Sequence, residues 1–108
     1  MKIELVRSFA LSLPEVTEEP HFQLASFRIR GKIIATVPPG DAFLHVFVSD
    51  EERDLALAME PGFIEKLHWG ERVAGLRIVL AKAKLGVAKR LLTQAWMRKA
   101  PKSLHGQI

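Results

Sequence analysis

The chain contains no cysteine. That excludes a disulfide framework and any thiolate chemistry, and it suits a reducing compartment. Long apolar runs are also missing: no segment approaches the ~20 residues that cross a bilayer. The opening MKIELVRSFALSLPEV breaks its apolar pattern with Lys2, Glu4 and Arg7, unlike the continuous core of a signal peptide. A cytoplasmic protein with no membrane partner is the expectation. The glycines at 31, 40, 62, 70, 75, 86 and 106 form neither G-x-G-x-x-G nor the P-loop spacing, which argues against nucleotide hydrolysis and dinucleotide binding. His21, His45, His68 and His105 stand far apart with no i, i+4 pair, so neither a metal site nor a cofactor is expected.

Acidic residues are absent after Glu71, where Arg72, Arg77, Lys82, Lys84, Lys89, Arg90, Arg98, Lys99 and Lys102 follow. Residues 1–60 carry a balance of −4 and residues 61–108 a balance of +8. Two readings follow: the basic half meets a polyanion or acidic partner, or it lies against the acidic half and the two fields cancel.

What is present is an ordinary globular composition, 48% hydrophobic and 26% charged in 108 residues, enough for one domain with one core. We expect that domain over residues 1–104, with 105–108 a short tail and KSLHGQI as a whole loosely held. Ile3, Val6, Ala10 and Leu13 recur at helical steps until Pro14 stops them. PEVTEEPH, rich in turn formers, is expected to be an irregular connection. From Phe22 the period changes to two: Ala25, Phe27 and Ile29 alternate with Ser26, Arg28 and Arg30, and Ile33, Ala35 and Val37 resume beyond Gly31. This predicts a hairpin with a tight turn at Arg30-Gly31. AFLHVFV, apolar on both faces, predicts a central strand. Ser49 and Glu52 form a capping box ahead of a helix ended by Pro61-Gly62. An irregular stretch through His68-Trp69-Gly70 then leads to a strand at GLRIVLA and a last helix, KLGVAKRLLTQAWMRKA, closed by Pro101. The order α-β-β-β-α-β-α predicts an α+β fold, helices packed on an antiparallel sheet.

Two constellations carry candidate chemistry. Arg28, Arg30 and Lys32 on the hairpin, with Arg77, Lys82 and Lys84 in the acid-free half, are candidate nucleic-acid phosphate contacts. Equally, charges on exposed strands prevent edge-to-edge pairing. Glu18, Glu19 and His21, with Trp69, form a candidate ligand or acid–base site; no accompanying nucleophile supports catalysis, and the same three residues also serve as turn and strand-start residues.

Taken in order, LSLPEVTEEPHF, SFRIRGKIIATVPPG, HWG and LLTQAWMRKAPKSL resemble the MmcQ/YjbR family of small bacterial proteins, from about Phe9 to Leu104. The family's Leu-Pro corresponds to Leu13-Pro14, its Thr-Glu-Glu-Pro-His to Thr17 through His21, its Gly-Lys to Gly31-Lys32 and its Trp-Gly to Trp69-Gly70. Where many members carry Gly-Trp, this chain has Gly75-Leu76, which would alter a binding face to which that tryptophan belonged. The resemblance implies a sandwich similar to frataxin-type or secretion-chaperone-type folds. It also implies DNA binding through a double-wing arrangement of strand hairpins and offers no catalytic residues to carry over; double-stranded DNA is the partner expected. A non-enzymatic DNA-binding module is therefore the leading expectation. Its alternatives are a protein-interaction or homodimerisation module and a small-molecule or enzyme site at Glu18, Glu19, His21 and Trp69.

Overall fold

The computed structural model describes residues 1–108. It is the α+β fold expected: three helices, α1 (Ile3–Ser12), α2 (Asp50–Met59) and α3 (Leu85–Lys99), lie with a six-stranded antiparallel sheet. The strands are β1 (Val16–His21), β2 (Leu24–Ile29), β3 (Lys32–Val37), β4 (Phe43–Val46), β5 (Ile64–Trp69) and β6 (Arg72–Val79), and their order across the sheet is β1-β2-β3-β4-β6-β5. No helix is long and apolar enough to cross a membrane.

Two strands arise where the sequence pattern predicts irregular chain. β1 contains Pro20, paired with Ala25. A proline is tolerated there because β1 is an edge strand, hydrogen-bonded on one side only. β5 is the other edge; its IEKLHW pattern is broken by a register shift between Leu67 and His68, and most of its side chains are exposed. Both strands lack the clean alternation that marks a half-buried strand, and each is recruited by its neighbour in the hairpin.

The local signals elsewhere act as their chemistry dictates. Arg30 and Gly31 both take positive φ (49° and 81°), the conformation of the two-residue primed turn that matches strand twist. Ser49 and Glu52 form the reciprocal capping box of α2. Beyond α3, Lys102–Gln107 form a 3₁₀ helix rather than a loose tail: Leu104 is buried and the His105 ring lies 5.9 Å from that of Trp96.

One buried cluster joins the helices to a single face of the sheet, through Val6 and Ala10 of α1, Ala56 of α2, and Leu91, Leu92 and Trp96 of α3, against Phe27, Ile29, Leu44 and Ile78. Trp96 is fully buried and donates its Nε1–H to the Pro14 carbonyl at 2.9 Å, tying the end of α3 to the start of β1. β4, expected to be covered on both sides, is central but buries only Leu44 and Val46; Phe43 and His45 point to the helix-free face and are half-buried.

Candidate nucleic-acid interface between two hairpins

The helix-free face carries a row of polar residues that runs across all six strands. Glu19 opposes Ser26, Ser26 opposes Thr36, Thr36 opposes His45, His45 opposes Arg77, and Arg77 opposes Glu65. Ser26 donates to the Glu19 carbonyl at 2.6 Å, Thr36 Oγ1 and His45 Nδ1 lie 3.3 Å apart, and Arg77 Nε donates to Glu65 Oε1 at 2.9 Å. Burial, followed by the charge of Arg77, holds His45 below the usual histidine range. This row closes the upper part of the face with its own hydrogen bonds.

Below the row the sheet divides. β4 stops at Val46, while β3 below Ala35 and β6 below Leu76 continue, each with its own hairpin partner. Two hairpins, β2–β3 with its tip at Arg30-Gly31 and β5–β6 with its tip at Gly70-Glu71, therefore project from the same end of the sheet. Phe47 enters the gap between them, its amide donating to the Ile34 carbonyl at 3.1 Å. Gly75 permits this close passage, because a Cβ there would lie 2.7 Å from the Val46 carbonyl oxygen and 3.0 Å from the Phe47 ring. The last turn of α3 reaches the same gap, where Arg98 Nη1 donates to the Val48 carbonyl at 2.9 Å.

The result is a cleft of about 560 Å³ between the hairpins. Lys32 enters it from the first hairpin, Arg72 and Trp69 from the second, and Arg98 and Lys99 from α3. No aspartate or glutamate lines it. None of its four cations has a carboxylate within 4.0 Å. The Phe47 and Trp69 rings, 5.6 Å apart and tilted by 51°, form an aromatic wall, and His21, Thr36 and His45 complete the polar lining.

The structure distributes the residues singled out in the sequence. Of the six candidate phosphate contacts, Lys32 alone lines the cleft. Arg28 is half-buried outside the cleft lining, donates to Ser26 Oγ at 3.0 Å and lies 3.4 Å from His21 Nδ1. Arg30, at the hairpin tip, makes a two-point pair with Glu15 at 3.1 Å, which holds the Glu15 carboxyl below its ordinary range. Arg77 is paired with Glu65 and lies over the Phe43 ring, 4.8 Å from its centroid. Lys82 and Lys84 follow the far end of β6, whose eight residues span about 25 Å at ~3.3 Å each; Lys84 faces Glu60 at 4.0 Å. Among the four candidate ligand residues, His21 and Trp69 share the cleft. Glu18 and Glu19 lie outside it, Glu18 accepting from Arg7 at 2.8 Å and Glu19 from Thr17 at 2.9 Å.

Arg72, Arg98 and Lys99 join the cleft from the acid-free half, and that absence of acid was their only signal in the sequence. Within this half only Arg77 and Lys84 find carboxylates, and only Lys84 reaches one in residues 1–60. The two halves do not neutralise each other by ion pairing. Leu76, at the position of the Gly-Trp departure, is fully buried; that position faces the core, and the cleft-facing ring is Trp69.

This fold and face define a small α+β domain with two hairpins flanking a basic cleft. The sequence matches the YjbR family over residues 11–98, and the chain belongs to that family. Its fold is similar to the crystal structure of Deinococcus radiodurans protein DR2400, assigned to the domain family DUF419, with a TM-score of 0.77 at 15% identity, covering 98% of this chain and 86% of that one. No curated protein matches the chain.

Proposed function

We propose that the chain is a non-enzymatic DNA-binding module whose contact surface is the cleft and its two hairpin rims. The observation that carries this reading is the convergence of Lys32, Arg72, Arg98 and Lys99, from three separate elements, around a cleft without a carboxylate. Unpaired cations in a concavity concentrate positive potential, and phosphate contacts at such a surface release condensed counterions. Four phosphate contacts correspond to a log–log salt slope of about −4 for duplex DNA. Positioning by phosphate contacts accounts for affinity and leaves base preference weak. Titration of fluorescently labelled duplex and single-stranded DNA at low and at moderate salt tests the reading: binding of either that weakens steeply with salt supports it, and no binding of either at low salt overturns it.

A small anionic molecule is the second reading, favoured by the cleft's volume and by His21 and Trp69 within it. A mononucleotide that binds as tightly as an oligonucleotide would decide for it.

A further inference from the structure

Trp69 is 59% exposed, although a tryptophan normally hides most of its large apolar ring. Phe47 contacts the ring from one side, and the indole is open toward the cleft that it lines. The other tryptophan, Trp96, has no exposure. An open aromatic surface beside cations without carboxylate partners is the combination that receives unpaired nucleic acid: the bases stack on the ring while the phosphates follow the positive charges.

We propose that the cleft binds a single nucleotide strand in preference to a duplex, with a base lying on Trp69 and the adjoining phosphates on Lys32, Arg72, Arg98 and Lys99. The inference rests on the DNA-binding reading above and narrows it. A duplex has no base face to offer, since its bases are stacked on one another and show only their edges in the grooves. A single strand exposes those faces. Size points the same way. About 560 Å³ is the scale of a site for a small molecule, ~300–1,000 Å³, and so for a nucleotide unit of a single strand. Because every base has a stacking face, the preference is for strand state rather than for sequence.

The two tryptophans provide the test. Trp96 is buried and hydrogen-bonded, so a fluorescence change on binding reports Trp69. Oligothymidylate and a duplex of equal length are titrated separately at low salt. The expected result is tighter binding of the single strand with quenching of tryptophan emission. Trp69→Ala should then lower single-strand affinity by roughly 5- to 150-fold and duplex affinity by a smaller factor, and Trp69→Phe should restore most of the single-strand loss. Equal or tighter duplex binding, unchanged single-strand affinity in Trp69→Ala, or failure of Trp69→Phe to restore it would overturn the strand preference and leave the DNA-binding reading standing. Failure of both nucleic acids to bind would overturn both.

Discussion

Gly75 and Phe47 are packed so closely that no side chain fits between them: an added Cβ would lie 2.7 Å from the Val46 carbonyl and 3.0 Å from the Phe47 ring. A backbone oxygen in the middle of a sheet yields little. Gly75→Ala should therefore destabilise the domain by about 1–3 kcal/mol, read as a lower midpoint in urea. It should also disturb the Phe47–Trp69 wall. Stability equal to that of the parent chain would show that the two hairpins can separate without cost.

The cations divide into engaged and free, and the division predicts different salt behaviour. Arg30 is held by Glu15, whereas Lys32 and Arg72 have no such partner. Under the DNA-binding reading, Lys32→Ala and Arg72→Ala each reduce the salt slope by about one. Arg28→Ala with Arg30→Ala leaves it nearly unchanged. Loss of slope in the Arg28/Arg30 double variant, measured by titration at several salt concentrations, would place the contact on the outer side of the first hairpin instead.

His45 gives the stability a pH dependence whose sign is set by its environment. Burial and Arg77 disfavour its charged form in the folded chain, so the unfolded chain takes up the proton first. Its stabilising contribution is complete above the unfolded value near 6.5 and is lost as the pH falls from there through the lower folded value. Urea unfolding at pH 7.5 and pH 5.5 should show a smaller pH difference for His45→Gln than for the parent chain.

The carboxyl-terminal 3₁₀ helix makes a stability prediction that a loose tail would not. Leu104 is only 5% exposed, and His105 Nε2 lies 3.0 Å from the Ala100 carbonyl oxygen. Leu104→Ala should cost about 2–5 kcal/mol. A thermal melt within one degree of the parent would show that the segment contributes no packing.

The elements legible in the sequence are those whose cause is local. Pro14 stops α1 because its ring cannot continue a helix, Ser49 and Glu52 cap α2 through their own side chains, and Arg30-Gly31 turns because glycine accepts positive φ. β1 and β5 were not legible, since an edge strand with Pro20, or with the Leu67/His68 shift, is held by its partner rather than by its own periodicity. The cleft was legible only in fragments: Lys32, His21, Trp69 and the acid-free composition after Glu71 pointed to it without joining them. The pairing of Arg30 with Glu15 and of Arg77 with Glu65 joins residues 15 and 12 positions apart, which no spacing rule announces.

The class of fold, the family, the tight hairpin and the accumulation of positive charge in residues 61–108 are all written along the chain. These follow from periodicity, turn chemistry and composition, which act along the chain. Which cations share a surface, and which are paired with carboxylates, follows from packing instead. β4 ends at Val46, the sheet divides there, and Lys32, Arg72, Arg98 and Lys99 meet in the gap while Arg30 and Arg77 are occupied by carboxylates. Whether a charge is available depends on what packing brings within reach of it, and that distance is not written in sequence order.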